Sequence, residues 1–269
     1  MKKLFSTLFS LATISIVTIA VFAMVKSSEP KKSQDGPEFT FGPKLTATQP
    51  KIPKWQGSLD NSGYDVSFPQ CGNSLPTGKV GFVIVGLNYG RPFTENPCFK
   101  SQWDWAKSYP GVAVYINTSD PGRNTPTQQG VRIALDTVKR LNSHGVPDGT
   151  PVWLDVESGN TWGSNERAVG VLQAAINVLT KAGYPIGVYA PPVHWFRITF
   201  DAQVNFPTWL ALGPYSSTEA GVKAAKAACQ EISFGNRTPA IVQFVSSPDG
   251  IKRDRNIMCT QPTGLVIKH

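Results

Sequence analysis

Short apolar runs alternate with longer stretches of helical spacing from Gly63 onward. Gly63–Phe68 and Gly81–Gly86 read as strands, followed by a short helix over Phe99–Lys107 and a strand over Gly111–Tyr115. Thr127–Ser143 places Val131, Leu135, Val138 and Leu141 at helical spacing, which predicts one buried stripe. Pro151–Asp155 is the next strand. Ser164 then caps a helix with the stripe Val169, Leu172, Ile176 and Leu179, and Gly183 ends it. Ile186–Tyr189, Thr208–Ala211 and Ala240–Phe244 are further strands, Thr218–Cys229 is a helix, and a last short strand follows Asp254.

Strands that alternate with helices imply parallel pairing through helical crossovers. Seven or eight such strands predict an α/β fold, a TIM-like (β/α) barrel in complete or modified form. An open doubly wound sheet is the alternative, but no G-x-G-x-x-G turn follows the first strand.

The amino-terminal part has a different pattern. Met1-Lys2-Lys3 precedes an uncharged run from Leu4 to Val25, closed by Lys26. Positive charge before an apolar run marks export. The run is long enough to span a bilayer, while Val21 and Ala23 supply small residues for a cleavage site. The expectation is a membrane anchor or signal peptide over 1–26, a flexible polar linker over 27–58 and a folded domain over 59–269. The domain would lie outside the membrane or be secreted.

Charge changes little. The chain carries a formal +8, but residues 1–54 hold eight Lys against three acids, so the remainder is only mildly basic. No cluster interleaves basic and aromatic residues, which argues against a nucleic-acid partner.

Four cysteines, Cys71, Cys98, Cys229 and Cys259, lie behind the export signal without a C-x-x-C pair. An even count in that setting predicts disulfides rather than a metal site. Of three possible pairings, Cys71–Cys98 and Cys229–Cys259 close the short loops. No metal and no cofactor are expected, and neither a G-x-S-x-G elbow nor a P-loop occurs.

In a barrel of this kind the site forms at the carboxyl ends of the strands. Asp155 and Glu157 occupy alternate positions at one such end, so both carboxylates face one site. Close carboxylates raise one another's pKa, and a carboxylic acid protonated at neutral pH is what glycosidic cleavage requires. Trp162 follows the pair by five residues in a Gly/Asn/Ser loop, Trp195 and Trp209 lie near strand ends, and all three offer faces for sugar rings; core packing is the alternative for each.

The order of these motifs resembles glycoside hydrolase family 25, lysozymes with a β/α barrel that cleave the glycan chain of peptidoglycan. The resemblance rests on GYDVSFPQ, WLDVE, GVYAPPVHW, TWLAL and VQFVSSPDGIKRDRN, in that order from Gly63 to Asn256. It implies that Glu157 is the general acid, that Asp155 orients and stabilises the substrate or acts as nucleophile, and that Asp65 and Asp254 complete an acidic floor. Tyr189 would hydrogen-bond the substrate. Tyr115, Asn88, Trp162, Trp209 and Gln243 complete the expected binding set. The family's second strand commonly ends in Lys-Ala-Thr-Glu-Gly, whereas here VGLNYG carries Asn88 and Tyr89 and no carboxylate. The expected partner is a peptidoglycan-like polysaccharide, and the alternative function is a glycan-binding envelope module without turnover.

Overall fold

The computed structural model describes residues 42–247 and 250–268. The expected anchor over 1–26 lies outside the described residues, as does the linker up to residue 41. Among the described residues no helix is long and apolar enough to cross a membrane.

Eight strands close a barrel: β2 (Ser62–Val66), β3 (Phe82–Gly86), β4 (Gly111–Asn117), β5 (Val152–Asp155), β6 (Ile186–Ala190), β8 (Thr208–Tyr215), β9 (Ile241–Ser246) and β10 (Arg253–Met258). Neighbours run β4-β3-β2-β10-β9-β8-β6-β5, and the β4–β5 pairing completes the ring. The TIM-like barrel read from the sequence is therefore present, with one modification. β10 pairs antiparallel with both β2 and β9, while the other barrel pairs are parallel. The antiparallel run brings the first residues of β10 to the same end as the carboxyl ends of the other strands.

Five α-helices accompany the barrel among the described residues: α1 (Phe99–Ala106), α2 (Pro126–Ser143), α3 (Asn165–Lys181), α4 (Pro192–Thr199) and α5 (Thr218–Ala228). Thr125 caps α2 by accepting from the backbone N–H of Gln128, and Ser164 caps α3 by accepting from that of Arg167. The buried face of α2 differs from the predicted stripe. Leu135 is 56% exposed, and the face runs through Gly130, Ile133, Ala134, Thr137 and Leu141. Close approach to α3 is the reason: a Cβ at Gly130 would stand 2.1 Å from the carbonyl oxygen of Val171.

Two apolar cores result. One lies between barrel and helices, with Val83, Val85, Val112, Val114, Leu154, Leu172 and Ile176 among its members. The other fills the barrel with Phe82, Ile84, Ala113, Trp153, Trp209, Ile241 and Met258. Room for these rings comes from glycine: a Cβ at Gly187 would meet the Trp153 ring at 2.3 Å. Leu265 and Val266 belong to the same interior cluster, and the partly buried Trp55 and Leu59 pack against it.

Residues 42–58 do not stand away from the domain as a spacer. β1 (Lys44–Leu45) pairs in parallel with β7 (Gln203–Val204), and Leu45 is buried. Thr46 exchanges backbone hydrogen bonds with the side chain of Gln173, and Gln49 does so with the backbone of Ile186. The polar composition that reads as linker is here used to satisfy backbone groups along the barrel wall. A short terminal strand, β11 (Ile267–Lys268), pairs antiparallel with the start of β4.

Candidate active site

The barrel's upper end is built by register. Asn117 pairs with Asp155, Asp155 with Tyr189, Tyr189 with Trp209, Gln243 with Asn256, and Asp254 with Asp65. Strand alternation then turns these side chains to one interior layer. They open onto a cleft of about 480 Å³, lined by Asp65, Tyr115, Asn117, Asp155, Glu157, Tyr189, Trp209, Gln243 and Asp254 together with loop residues.

Each carboxylate has a distinct setting. Asp65 is buried and accepts from Gln243 Nε2 at 3.0 Å on both oxygens and from Asn256 Nδ2 at 2.7 Å. Burial, then the charge of Asp254, raises its pKa to about 8 against the pull of those donors. Asp155, only 3% exposed, accepts from the side-chain amide of Asn117 through Oδ2, while its Oδ1 is buried without a partner. Burial and the charges of Glu157 and Asp65 push Asp155 well above the ordinary carboxylate range. Burial also raises Asp254.

Glu157 lies just beyond β5 with its side chain 35% exposed, more open to the cleft than Asp65 or Asp155. Burial, then Asp254, raises its pKa. His194 Nδ1 is 4.0 Å from Glu157 Oε1, but that nitrogen accepts from the backbone N–H of Ser158. Burial and Arg197 lower the His194 pKa. The imidazole is therefore neutral near pH 7 and does not hold Glu157 in its ionised form.

Tyr189 donates its hydroxyl to Gln243 Oε1 at 2.9 Å, so Tyr189, Gln243 and Asp65 form one chain of hydrogen bonds. Trp209 donates to Asn256 Oδ1 at 2.8 Å, and its ring meets Tyr189, Trp153 and Tyr115 edgewise. Burial lifts Tyr115 and Tyr189 well above the usual phenol range, so both are neutral donors.

Two expected binding residues lie elsewhere. Asn88 is buried behind the cleft, where its side chain donates to the Asn117 carbonyl and accepts from the Asn117 N–H. Trp162 packs against the core and donates Nε1 to the Glu157 carbonyl at 2.9 Å, so it braces the backbone of Glu157 rather than presenting a face to the cleft. Trp195 is likewise buried, with Nε1 on the Ala202 carbonyl. Sequence reading missed Asn117. It ends a strand that runs two residues beyond the predicted Tyr115, on the face Tyr115 already shares. The Cys71–Cys98 and Cys229–Cys259 disulfides both form. Among the described residues no group of His, Cys, Asp and Glu is arranged to hold a metal ion.

Residues 105–198 match the family model described as "Rv2525c-like, glycoside hydrolase-like domain". A sequence search of curated proteins finds no match. Solved structures are more informative. A family 25 glycosyl hydrolase from Bacillus anthracis aligns with TM-score 0.50 and 16% identity, over 83% of this chain and 94% of that one. The fold is that of a family 25 glycosyl hydrolase. A muramidase from Trichobolus zukalii aligns with the same TM-score and 18% identity, over 73% of this chain and 92% of its own. A bacterial lysozyme from Streptomyces coelicolor also reaches 0.50, with 16% identity, over 75% and 93%. The domain is a divergent form of the family 25 fold.

Proposed function

We propose that this domain is an extracytoplasmic glycoside hydrolase that cleaves β-1,4 bonds of peptidoglycan or a related N-acetylated glycan. The observation that carries this reading is the convergence of Asp65, Asp155, Glu157 and Asp254 on one cleft, with every one of their pKa values raised. Similarity to a muramidase and a lysozyme agrees with it at the level of the fold.

Glu157 is the general acid in this account. Its carboxyl group is open to the cleft, lacks a cationic neighbour in His194 near pH 7, and keeps its proton to higher pH than a free glutamate. It donates that proton to the leaving glycosidic oxygen. Asp155 orients the substrate's acetamido group and, in its ionised form, stabilises the positive charge that develops on the sugar. Asn117 sets its orientation. Asp65 and Asp254 form the acidic floor, and the Tyr189–Gln243–Asp65 chain fixes donors and acceptors around the sugar. Release of soluble muropeptides from isolated peptidoglycan by the parent chain tests the reading.

One observation favours a second reading. The VGLNYG element at the carboxyl end of β3 has no carboxylate, and Asn88 there is committed to Asn117. A glycan-binding module without turnover would bind peptidoglycan and release nothing.

Export belongs to the same proposal: the Leu4–Val25 run holds the protein at a membrane with the domain outside, which agrees with its two disulfides. Amino-terminal sequencing of the membrane fraction tests it. An intact Met1 end is expected, and a chain starting near Met24 would show a cleaved signal instead.

A further inference from the structure

The loop that lacks the family carboxylate carries a different feature. Tyr89 is 53% exposed, and its ring centroid lies 4.2 Å from that of Phe68, which lines the cleft. Tyr89 thus packs against Phe68 on one side and leaves the rest of its ring in water beside a polar cleft, and the C–H faces of a pyranose ring are complementary to that exposed aromatic surface. From this juxtaposition we infer that Phe68 and Tyr89 form a sugar-stacking subsite at one end of the cleft, which binds a ring beyond those at the carboxylates.

The two rings sit on different loops, and both loops are fixed. Phe68 opens a short 3-10 turn whose capping box is closed by Ser67 and Gln70. The Tyr89 N–H donates to Thr94 Oγ1 at 2.9 Å, and Thr94 Oγ1 donates in turn to the Arg91 carbonyl at 2.6 Å. Buried Asn96 and Gln102 join the loops: Asn96 Nδ2 donates to the Gly86 carbonyl and to Gln102 Oε1, and Gln102 Nε2 donates to the Ser67 carbonyl. The Cys71–Cys98 disulfide ties the same two segments covalently. Next to Tyr89, Gly90 has φ +67° and lines the cleft, and a Cβ there would stand 3.2 Å from the Phe68 ring. A framework this rigid around an exposed ring lowers the ordering cost of binding.

The inference rests on the glycan reading of the cleft, and the test separates the two. The full chain carrying Glu157→Gln, which cannot turn substrate over in that account, is titrated calorimetrically with β-1,4-linked N-acetylglucosamine oligomers of increasing length and with isolated peptidoglycan. Adding Tyr89→Ala should leave the shortest binding oligomer unaffected and weaken the longest by roughly five- to tenfold, the usual worth of a stacked aromatic. Tyr89→Phe should bind as Tyr89 does, because the face rather than the hydroxyl is used. An unchanged thermal midpoint in Tyr89→Ala would assign the loss to binding. Equal affinity of Tyr89→Ala for every length, or an equal loss at every length, would overturn the subsite while the glycan reading stands. If the Glu157→Gln chain binds neither oligomers nor peptidoglycan, the glycan reading fails and the subsite fails with it.

Discussion

Asn117 and Asp155 face each other in register on β4 and β5, and the Asn117 amide donates to one oxygen of Asp155 while the other is buried without a partner. The carboxylate is thus oriented from one side only. Asn117→Ala should free it to rotate and lower kcat by on the order of 10²-fold, the cost of a small misplacement of a reacting group. KM should change little, because Asn117 holds Asp155 and not the substrate. Steady-state kinetics on a soluble glycan check this; a rise in KM at constant kcat would place Asn117 in binding.

Stability should depend on pH through the cleft carboxyls. Asp65 holds its proton to about pH 8 in the folded chain, whereas a free aspartate loses it near 3.8. The folded state therefore binds more protons between these values. The contribution of Asp65 is full below about pH 3.8 and is lost as pH rises toward 8. The midpoint of thermal unfolding of the parent, relative to Asp65→Asn, should fall across that window. A constant difference between the two from pH 4 to 8 would contradict the assignment.

The two disulfides should separate stability from activity. Cys229–Cys259 ties the end of α5 to the segment after β10, at the opposite end of the barrel from the cleft, and Cys71–Cys98 frames the cleft wall. Each paired Cys→Ser replacement should cost about 3–4 kcal/mol in denaturant unfolding. Only loss of Cys71–Cys98 should also weaken glycan binding. Equal binding by both paired variants would remove the cleft wall from recognition.

Much of this molecule is written in local patterns. The strands around Asp65, Asp155, Tyr189, Trp209 and Gln243 announce themselves as short apolar runs ending in polar groups, and the closely spaced cysteines announce their pairs. What escaped depends on contacts remote in sequence. Leu135 has the right spacing for a core stripe, but Gly130 and Ala134 set the α2 face because α3 approaches closely there. Trp162 follows the carboxylates as a sugar platform would, yet the Glu157 carbonyl captures its N–H. Residues 42–49 look like linker because their partners, Gln173, Ile186, Gln203 and Asn205, lie more than a hundred residues away. Asn117 was within reach, since period-two alternation from Tyr115 points to it.

The central claim is that Glu157 donates the proton that cleaves a glycosidic bond. Muropeptide release from isolated peptidoglycan by the parent and by Glu157→Gln, across pH 4 to 9, tests it most directly. The account predicts a bell-shaped profile for the parent, set jointly by the coupled carboxyls, and a loss of roughly 10²–10⁴-fold in Glu157→Gln with binding retained. Parent turnover that survives Glu157→Gln unchanged, or a parent that binds peptidoglycan and releases nothing at any pH, would contradict it.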